Sequence, residues 1–278
     1  MVGIKPSFME TTGLLLISLV LVMVILSFVV GNVIFYPRSE SPYSPPSQSN
    51  LLGTDDLGDD VLTLIFRGSR VSLSIGIIGS LVSTLIGTVI GALSGFCGGS
   101  LDDILGWLTD LFIVIPALPL MIVLTAYLSP SFWNVVLVIG LLWWPTTARL
   151  VRARAWQLRS STFVEGLIGI DASKIYIVFR HILPNVLGVV LARFVLSISH
   201  AILLEAGLSF IGLSDPTNPS WGTILHFAMT RGALLQGAWW TFVPPGIAIS
   251  MTSLGFILLG MGLEQRYRIG PKSLEGKI

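Results

Sequence analysis

The sequence predicts an all-α protein that crosses a membrane six times, and three observations carry that prediction. Hydrophobic residues make up 53% of the chain and charged residues only 11%, where a soluble chain carries roughly 25% charged side chains. The 16 Lys and Arg and 15 Asp and Glu of 278 residues are too few to coat a soluble particle of this size. Apolar stretches of about 20 residues, the length that spans a hydrocarbon core of roughly 30 Å, recur along the chain. The net charge of +1 leaves no basic stripe for nucleic acid, so membrane lipid is the expected surrounding. The single cysteine, Cys97, excludes an intrachain disulfide and cysteine-rich metal motifs.

The first span is expected over Thr11 to Phe35, which is uncharged between Glu10 and Arg38. A cleaved signal peptide is the competing reading. The core is longer than the roughly 7–15 residues of a signal core, and no A-x-A-like site follows. Pro37, Pro42, Pro45 and Pro46, interleaved with Ser39, Ser41, Ser44, Ser47 and Ser49, then read as an extended linker. The second span is expected over Val71 to Phe96, the third over Ile104 to Leu128 with Asp110 near its start, and the fourth over Phe132 to Thr147. Ser129-Pro130-Ser131 makes the third and fourth a tight helical hairpin. The fifth is expected from about Val186 to Leu213 and the sixth from about Trp239 to Leu263.

Short loops rich in Lys and Arg stay in the cytoplasm. With the N-terminus inside, the inner segments hold Lys5, then Arg149, Arg152, Arg154, Arg159, Lys174 and Arg180, then Arg266, Arg268, Lys272 and Lys277. The outer segments hold only Arg38, Arg67, Arg70 and Arg231, so both termini are predicted to be cytoplasmic. The chain divides into residues 1–70 (first helix and extracytoplasmic Pro/Ser-rich linker), 71–265 (a core of five spans with the cytoplasmic loop 149–185) and the tail 266–278.

Ser83, Gly87, Gly91, Gly95 and Gly99 recur at every fourth position, a stripe that lets another helix approach closely. Two partners fit it, a helix of this chain or one of another subunit. The 149–185 loop is long for a connection, and loops of that length usually carry function. Its apolar pattern (Phe163, Leu167, Ile170, then Ile175, Val178, Phe179, Ile182) suits two short helices broken near Gly169-Ile170-Asp171, with Asp171 as N-cap of the second. An amphipathic cytoplasmic helix of this kind lies on the bilayer or docks on a soluble partner.

Phe163-Val164-Glu165-Gly166-Leu167-Ile168-Gly169-Ile170-Asp171, with Phe179-Arg180-His181-Ile182-Leu183-Pro184-Asn185 after it, resembles the EAA loop of ABC-importer permeases. The family pattern is E-A-A-x(3)-G-x(9)-I-x-L-P, and counting from Glu165 its spacing is kept through Pro184. Leu51-Leu52-Gly53-Thr54-Asp55-Asp56-Leu57-Gly58-Asp59-Asp60 with Gly68-Ser69-Arg70-Val71-Ser72-Leu73 is similar to the LLGTDxLGRD…GARVSL of the dipeptide/oligopeptide/nickel branch, C-type subunit. So is Glu205-Ala206-Gly207-Leu208-Ser209-Phe210-Ile211-Gly212-Leu213 with Pro219-Ser220-Trp221-Gly222, beside EASLSFLGLG…PSWG.

The resemblance implies a type I ABC importer permease fold in a prokaryotic cell membrane, a second related permease, two cytoplasmic ATPases and an extracytoplasmic substrate-binding protein. It implies ATP-coupling roles for Glu165, Gly166, Leu167, Asp171, His181, Leu183 and Pro184, and favours peptides as cargo before nickel or oligosaccharides. The departures are Gly166-Leu167 for Ala-Ala, Asp171 for Gly, Asp59 for Arg, and apolar Ile257 and Met261 for two polar family positions, whereas His181 at the Ile position is expected in the branch that reads Phe-Arg-His-Ile-Leu-Pro-Asn. If the family Gly breaks the helix with positive φ, Asp is among the few residues that tolerate that conformation.

The remaining candidates are weaker. Asp55, Asp56, Asp59 and Asp60 invite a cation-site reading, but position 66, the twelfth of an EF-hand counted from Asp55, is Phe. Arg193 and Glu205 fall in the fifth span, where charges usually face a bundle interior or a water path. Twelve residues separate them, roughly 18 Å along a helix. Arg193 is expected to snorkel to the cytoplasmic interface, and Glu205 serves either packing or the translocation path. His181, His200 and His226 have no metal-ligand spacing, no catalytic set converges, and no G-x(4)-G-K-[ST] loop is present. No cofactor is therefore expected in this chain, with ATP bound by its partners. A self-sufficient secondary carrier is the competing class. It accounts for the buried charges but not for the long basic loop.

Overall fold

The computed structural model describes residues 7–33 and 41–268. Among them, Phe8–Phe28, Val61–Cys97, Phe132–Arg159, Lys174–Phe210 and Trp239–Tyr267 are long and apolar enough to cross a membrane, and the bent pair Gly99–Val114 and Ala117–Tyr127 brings the number to six if it is one broken span and not a re-entrant loop. The order is α1 (Phe8–Val33), α2 (Val61–Cys97), α3 (Gly99–Val114), α4 (Ala117–Tyr127), α5 (Phe132–Leu142), α6 (Trp144–Arg159), α7 (Thr162–Gly169), α8 (Lys174–Ile177), a π-helical turn (Val178–Ile182), α9 (Leu183–Phe210), α10 (Trp221–Thr230) and α11 (Val243–Arg268). We call the end bearing Cys97 and Arg159 the inner end and the opposite one the outer end. Lys5, Arg38, Lys272 and Lys277, the linker residues Pro37 and Ser39, and tail residues 269–278 lie outside the described residues.

The central element is α2, which packs on α1, α5, α6 and α9. It starts at Val61, ten residues before the expected span, because the Asp60 carboxylate accepts the Thr63 amide at 2.8 Å and caps it. Arg67 and Arg70 are therefore helical, and Arg70 donates through Nε to Ser27 of α1 at 2.5 Å. The small-residue stripe faces α6 of the same chain. A Cβ on Gly87 would meet the Trp144 carbonyl at 2.6 Å, and Gly91 and Gly95 press on the Ala148 and Arg152 carbonyls. Gly99 lies past the contact, with nothing near it.

The stretch expected as the third span is not one straight helix. α3 and α4 meet at 84°. Pro116 lacks an N–H and pushes Ile115 into extended backbone (φ −71°, ψ 125°), which ends α3. The fourth expected span runs on to Arg159, since α6 continues α5 after a break at Trp143, with Pro145 in the first turn of α6. Arg149, Arg152, Arg154 and Arg159, expected in the loop, sit on this helix. Two of them brace α3: Arg152 grips Asp102 through Nε at 2.7 Å and Nη2 at 2.8 Å, and Arg149 Nη2 meets Asp110 at 2.7 Å. Ser94 of α2 also donates to Asp102.

From Ser41 onward the outer stretch is a folded cap and not an extended linker. Thr54 is fully buried; its hydroxyl donates to the Ser41 carbonyl at 3.0 Å and accepts the Ser44 amide at 2.8 Å. The Trp240 indole donates to the Thr54 carbonyl at 3.1 Å and the Tyr43 hydroxyl to the Arg231 carbonyl at 2.7 Å, tying the stretch to distant loops. Proline and serine content predicts an extended linker; the hydrogen bonds of buried Thr54 and the Trp240 indole fold the stretch instead.

Candidate functional site: the 160–182 segment

The segment linking α6 to α9 is built from two short helices and a widened turn. α7 begins where the Ser161 carbonyl accepts the Val164 and Glu165 amides at 2.9 and 3.0 Å. It ends at Gly169. Asp171 then adopts φ +56°, while its amide and that of Ala172 return to the Ile168 and Leu167 carbonyls at 3.0 and 3.1 Å. Asp tolerates this left-handed conformation better than most residues. The N-cap of α8 is Ser173, not the expected Asp171; its hydroxyl accepts the Tyr176 amide at 3.3 Å. Asp171 cannot cap while it turns the chain.

Residues 178–182 form a π-helical turn in which the Leu183 amide reaches the Val178 carbonyl. Pro184 explains it. A proline in a continuing helix has no amide to give the carbonyl four residues back and clashes with it, so widening the turn relieves the contact. The turn carries His181, whose ring lies 5.5 Å from Tyr176, edge-on, and 6.3 Å from Phe163. Its Nε2 is buried with no hydrogen-bond partner.

The apolar residues divide into two faces. Val164, Ile177, Val178 and Ile182 are buried with Ala92, Phe96, Val151 and Ala155, which anchors the segment on the inner ends of α2 and α6. Phe163, Ile168, Ile170, Ile175, Tyr176 and Phe179 are exposed, Ile170 and Ile175 to 75% and 70%. Of the predicted site residues, Glu165, Gly166, Asp171 and Pro184 are exposed and Leu167, His181 and Leu183 half-buried; five lie in the segment, and Leu183 and Pro184 open α9 directly after it. A run of exposed apolar residues rimmed by polar ones marks a contact surface. Glu205 lies elsewhere: it is fully buried, its carboxylate accepting from Ser72 at 3.1 Å and Ser209 at 2.5 Å, so it joins α9 to α2.

At the outer end, Asp56 pairs with Arg231 at 2.8 Å, and Arg231 stacks 4.0 Å above the Phe227 ring. Asp55 accepts the Leu57 and Asp59 amides at 2.9 and 2.8 Å, which stabilises its charge, yet burial outweighs this and raises its pKa above the usual carboxylate range. The Asp55 carboxylate thus shapes a turn, and that of Asp60 caps α2. Among the described residues no group of three His, Cys, Asp or Glu is placed to hold a metal ion.

Residues 87–269 match the family model described as binding-protein-dependent transport system inner membrane component. The chain belongs to that family. A peptide permease of Brucella suis biovar 1, so named on a putative basis, is 35% identical over 226 residues, 81% of this chain and 74% of that protein. The oligopeptide transport system permease protein OppC of Bacillus subtilis is 31% identical over 95% of this chain and 86% of its own length. The dipeptide permease DppC of the same organism is 28% identical over 94% and 82%. This permease is thus a multi-pass inner-membrane subunit of an ABC transport system, of C type, and the matched region takes in the Gly87 stripe, the 160–182 segment and α9 to α11. Such permeases work with a partner permease, an ATPase and a binding protein. Two features escaped sequence reading: the Asp102–Arg152 brace, and the division of the segment into buried and exposed faces. Acidic residues early in α3 facing arginines of α6 were a signal for the first.

Proposed function

We propose that this chain is one of two permeases of an ATP-driven peptide importer, oriented with both termini cytoplasmic, and that the exposed face of residues 162–182 seats a cytoplasmic ATPase. One observation carries the reading: Phe163, Ile170, Ile175 and Phe179 stand out on a segment that Val164, Ile177, Val178 and Ile182 fix to α2 and α6. A helix face held rigidly on one side and left apolar on the other suits docking into a groove. ATP is bound by the ATPase subunits, whose closure pushes the segment, and the rigid anchoring passes the motion to the spans as a rigid-body switch between two states. Glu165, Gly166, Leu167, Asp171, His181, Leu183 and Pro184 act here in shape and contact, not in catalysis. The peptide assignment is supported by the names of the relatives, and the cargo would arrive from an extracytoplasmic binding protein and pass between the two permeases.

The test is reconstitution of both permeases and the ATPases in vesicles. Phe179→Asp and Ile175→Asp are expected to abolish ATPase co-purification and ATP-driven uptake of a peptide probe while insertion of the permease is unchanged. Uptake by this chain alone under an ion gradient, with no ATPase present, would overturn the proposal and favour a secondary carrier.

A further inference from the structure

Where α6, α9 and α11 converge near the inner end lies a cavity of about 430 Å³, lined by Thr146 and Arg149 of α6, Arg193 and Leu196 of α9 and Glu264 of α11. It shares Glu264 with a second cavity of about 490 Å³ that reaches Tyr267. Both are of a size that holds small ligands, roughly 300–1,000 Å³.

Arg193 and Glu264 are the unspent charges here. Arg149 is held by Asp110 at 2.7 Å and Arg154 by Gln157 at 3.2 Å. Arg193, expected to snorkel to the cytoplasmic interface, is half-buried, with its Nε buried and without a hydrogen-bond partner, and no ion pair joins it to Glu264 among the described residues. An unpaired cation among membrane helices is expensive, and such residues ordinarily serve a ligand or a path. Opposite charges on different walls of one cavity, not joined to each other, suit a ligand that bears both signs. The guanidinium fork takes a carboxylate, and the Glu264 carboxylate takes an ammonium.

We propose that this cavity is a zwitterion site, receiving the terminal carboxylate of a peptide at Arg193 and its terminal ammonium at Glu264. The proposal rests on the importer reading above and adds to it a binding step inside the permease. Segment 160–182 joins α6 to α9, two of the three helices that wall the cavity, so displacing the segment changes the cavity's width and its hold on the ligand.

The test uses the permease pair with Cys97→Ser and a reporter, Ala153→Cys, at a residue lining both cavities. The rate of modification by a thiol reagent is measured with trialanine, N-acetyl-trialanine and trialanine amide. At a trialanine concentration about ten times its dissociation constant, modification slows roughly tenfold. Either blocked peptide protects far less, Arg193→Gln or Glu264→Gln removes protection, and Arg193→Lys keeps part of it. The blocked-peptide comparison uses the native charges, so it stands whether or not the variants fold. No protection by trialanine, or equal protection by the blocked peptides, overturns the site. Slowing produced by phosphatidylethanolamine vesicles and not by peptide would assign the charges to lipid and overturn it as well. The assay needs neither ATP nor a binding protein. ATP-driven uptake without protection removes the site and leaves the importer reading; protection without uptake does the reverse.

Discussion

Ser72 of α2 and Glu205 of α9 meet inside the bundle at 3.1 Å, and the same Ser72 hydroxyl accepts the Trp221 amide at 3.1 Å. With Ser209 donating to the other carboxylate oxygen at 2.5 Å, three helices share one buried polar node. Removing the acceptor strands two hydroxyls in a dry interior. Glu205→Ala is therefore expected to destabilise the permease by about 2–4 kcal/mol, and Glu205→Gln, which keeps an acceptor, by less. Thermal unfolding of the purified protein in detergent measures the difference; equal losses would show that volume and not hydrogen bonding matters at this node.

The contact between α2 and α6 depends on Gly87. Its missing Cβ leaves room for the Trp144 carbonyl, which would otherwise lie at 2.6 Å, and that neighbour is backbone that cannot rotate away. Gly87→Ala is expected to lower stability by about 1–3 kcal/mol despite the better helix propensity of Ala. Gly246→Ala, where nothing lies within 4 Å, serves as the control and is expected to be neutral or slightly stabilising. The yield of monodisperse protein and its melting temperature are the readouts.

Asp171 holds φ +56° between α7 and α8. Asp171→Gly relaxes that position, whereas Asp171→Val forces a β-branched residue into the left-handed region at a cost of about 1–2 kcal/mol. ATP-driven uptake is expected to persist in the Gly variant and to fall in the Val variant, with membrane insertion alike in both. Full uptake by the Val variant would show that the angle between α7 and α8 does not matter for coupling.

Pro184 predicts a change of phase. Pro184→Ala restores an amide to the start of α9 and allows the widened turn at 178–182 to tighten to α-helix, which rotates Phe179 and Ile175 relative to Val178. Cysteine accessibility at position 179 should drop, with ATP-driven uptake reduced and basal insertion retained.

Two outer carboxylates respond to pH with opposite sign. Burial raises the pKa of Asp55, so the folded state holds that proton more tightly than the unfolded chain; its effect on stability is most favourable below the ordinary carboxylate pKa and is lost as pH rises through the folded value. Asp215 is lowered, chiefly by the Thr217 side chain, and contributes stability above the ordinary value that is lost as pH falls through the folded one. Asp55→Asn is expected to raise the melting temperature at neutral pH, and Asp215→Asn to lower it. Both differences shrink on acidification through the carboxylate range.

Much of the 160–182 segment is legible in the chain. The break at Gly169-Ile170-Asp171 is written in residue types that end helices, and the spacing from Glu165 to Pro184 marks the family. The faces are not legible. Val164 and Phe163 are adjacent apolar residues, yet one is fully buried and the other 45% exposed. A pattern of period 3.6 fixes one stripe within one helix, but here a left-handed residue and a π-helical turn reset the phase twice.

The sequence by itself determined the membrane, a set of five to six apolar spans and the family, because scarcity of charge and apolar length are set by the lipid and need no knowledge of neighbours. Tertiary structure decided the bend of the third expected span and the partner of the glycine stripe. It also turned a proline-rich stretch into a cap fastened by Thr54 and Trp240. It separated the charges as well: Arg152 found Asp102, Glu205 found Ser72 and Ser209, and Arg193 and Glu264 stayed apart. Whether a membrane charge is a brace or a site depends on what lies within hydrogen-bond reach, and that distance exists only after the helices have packed.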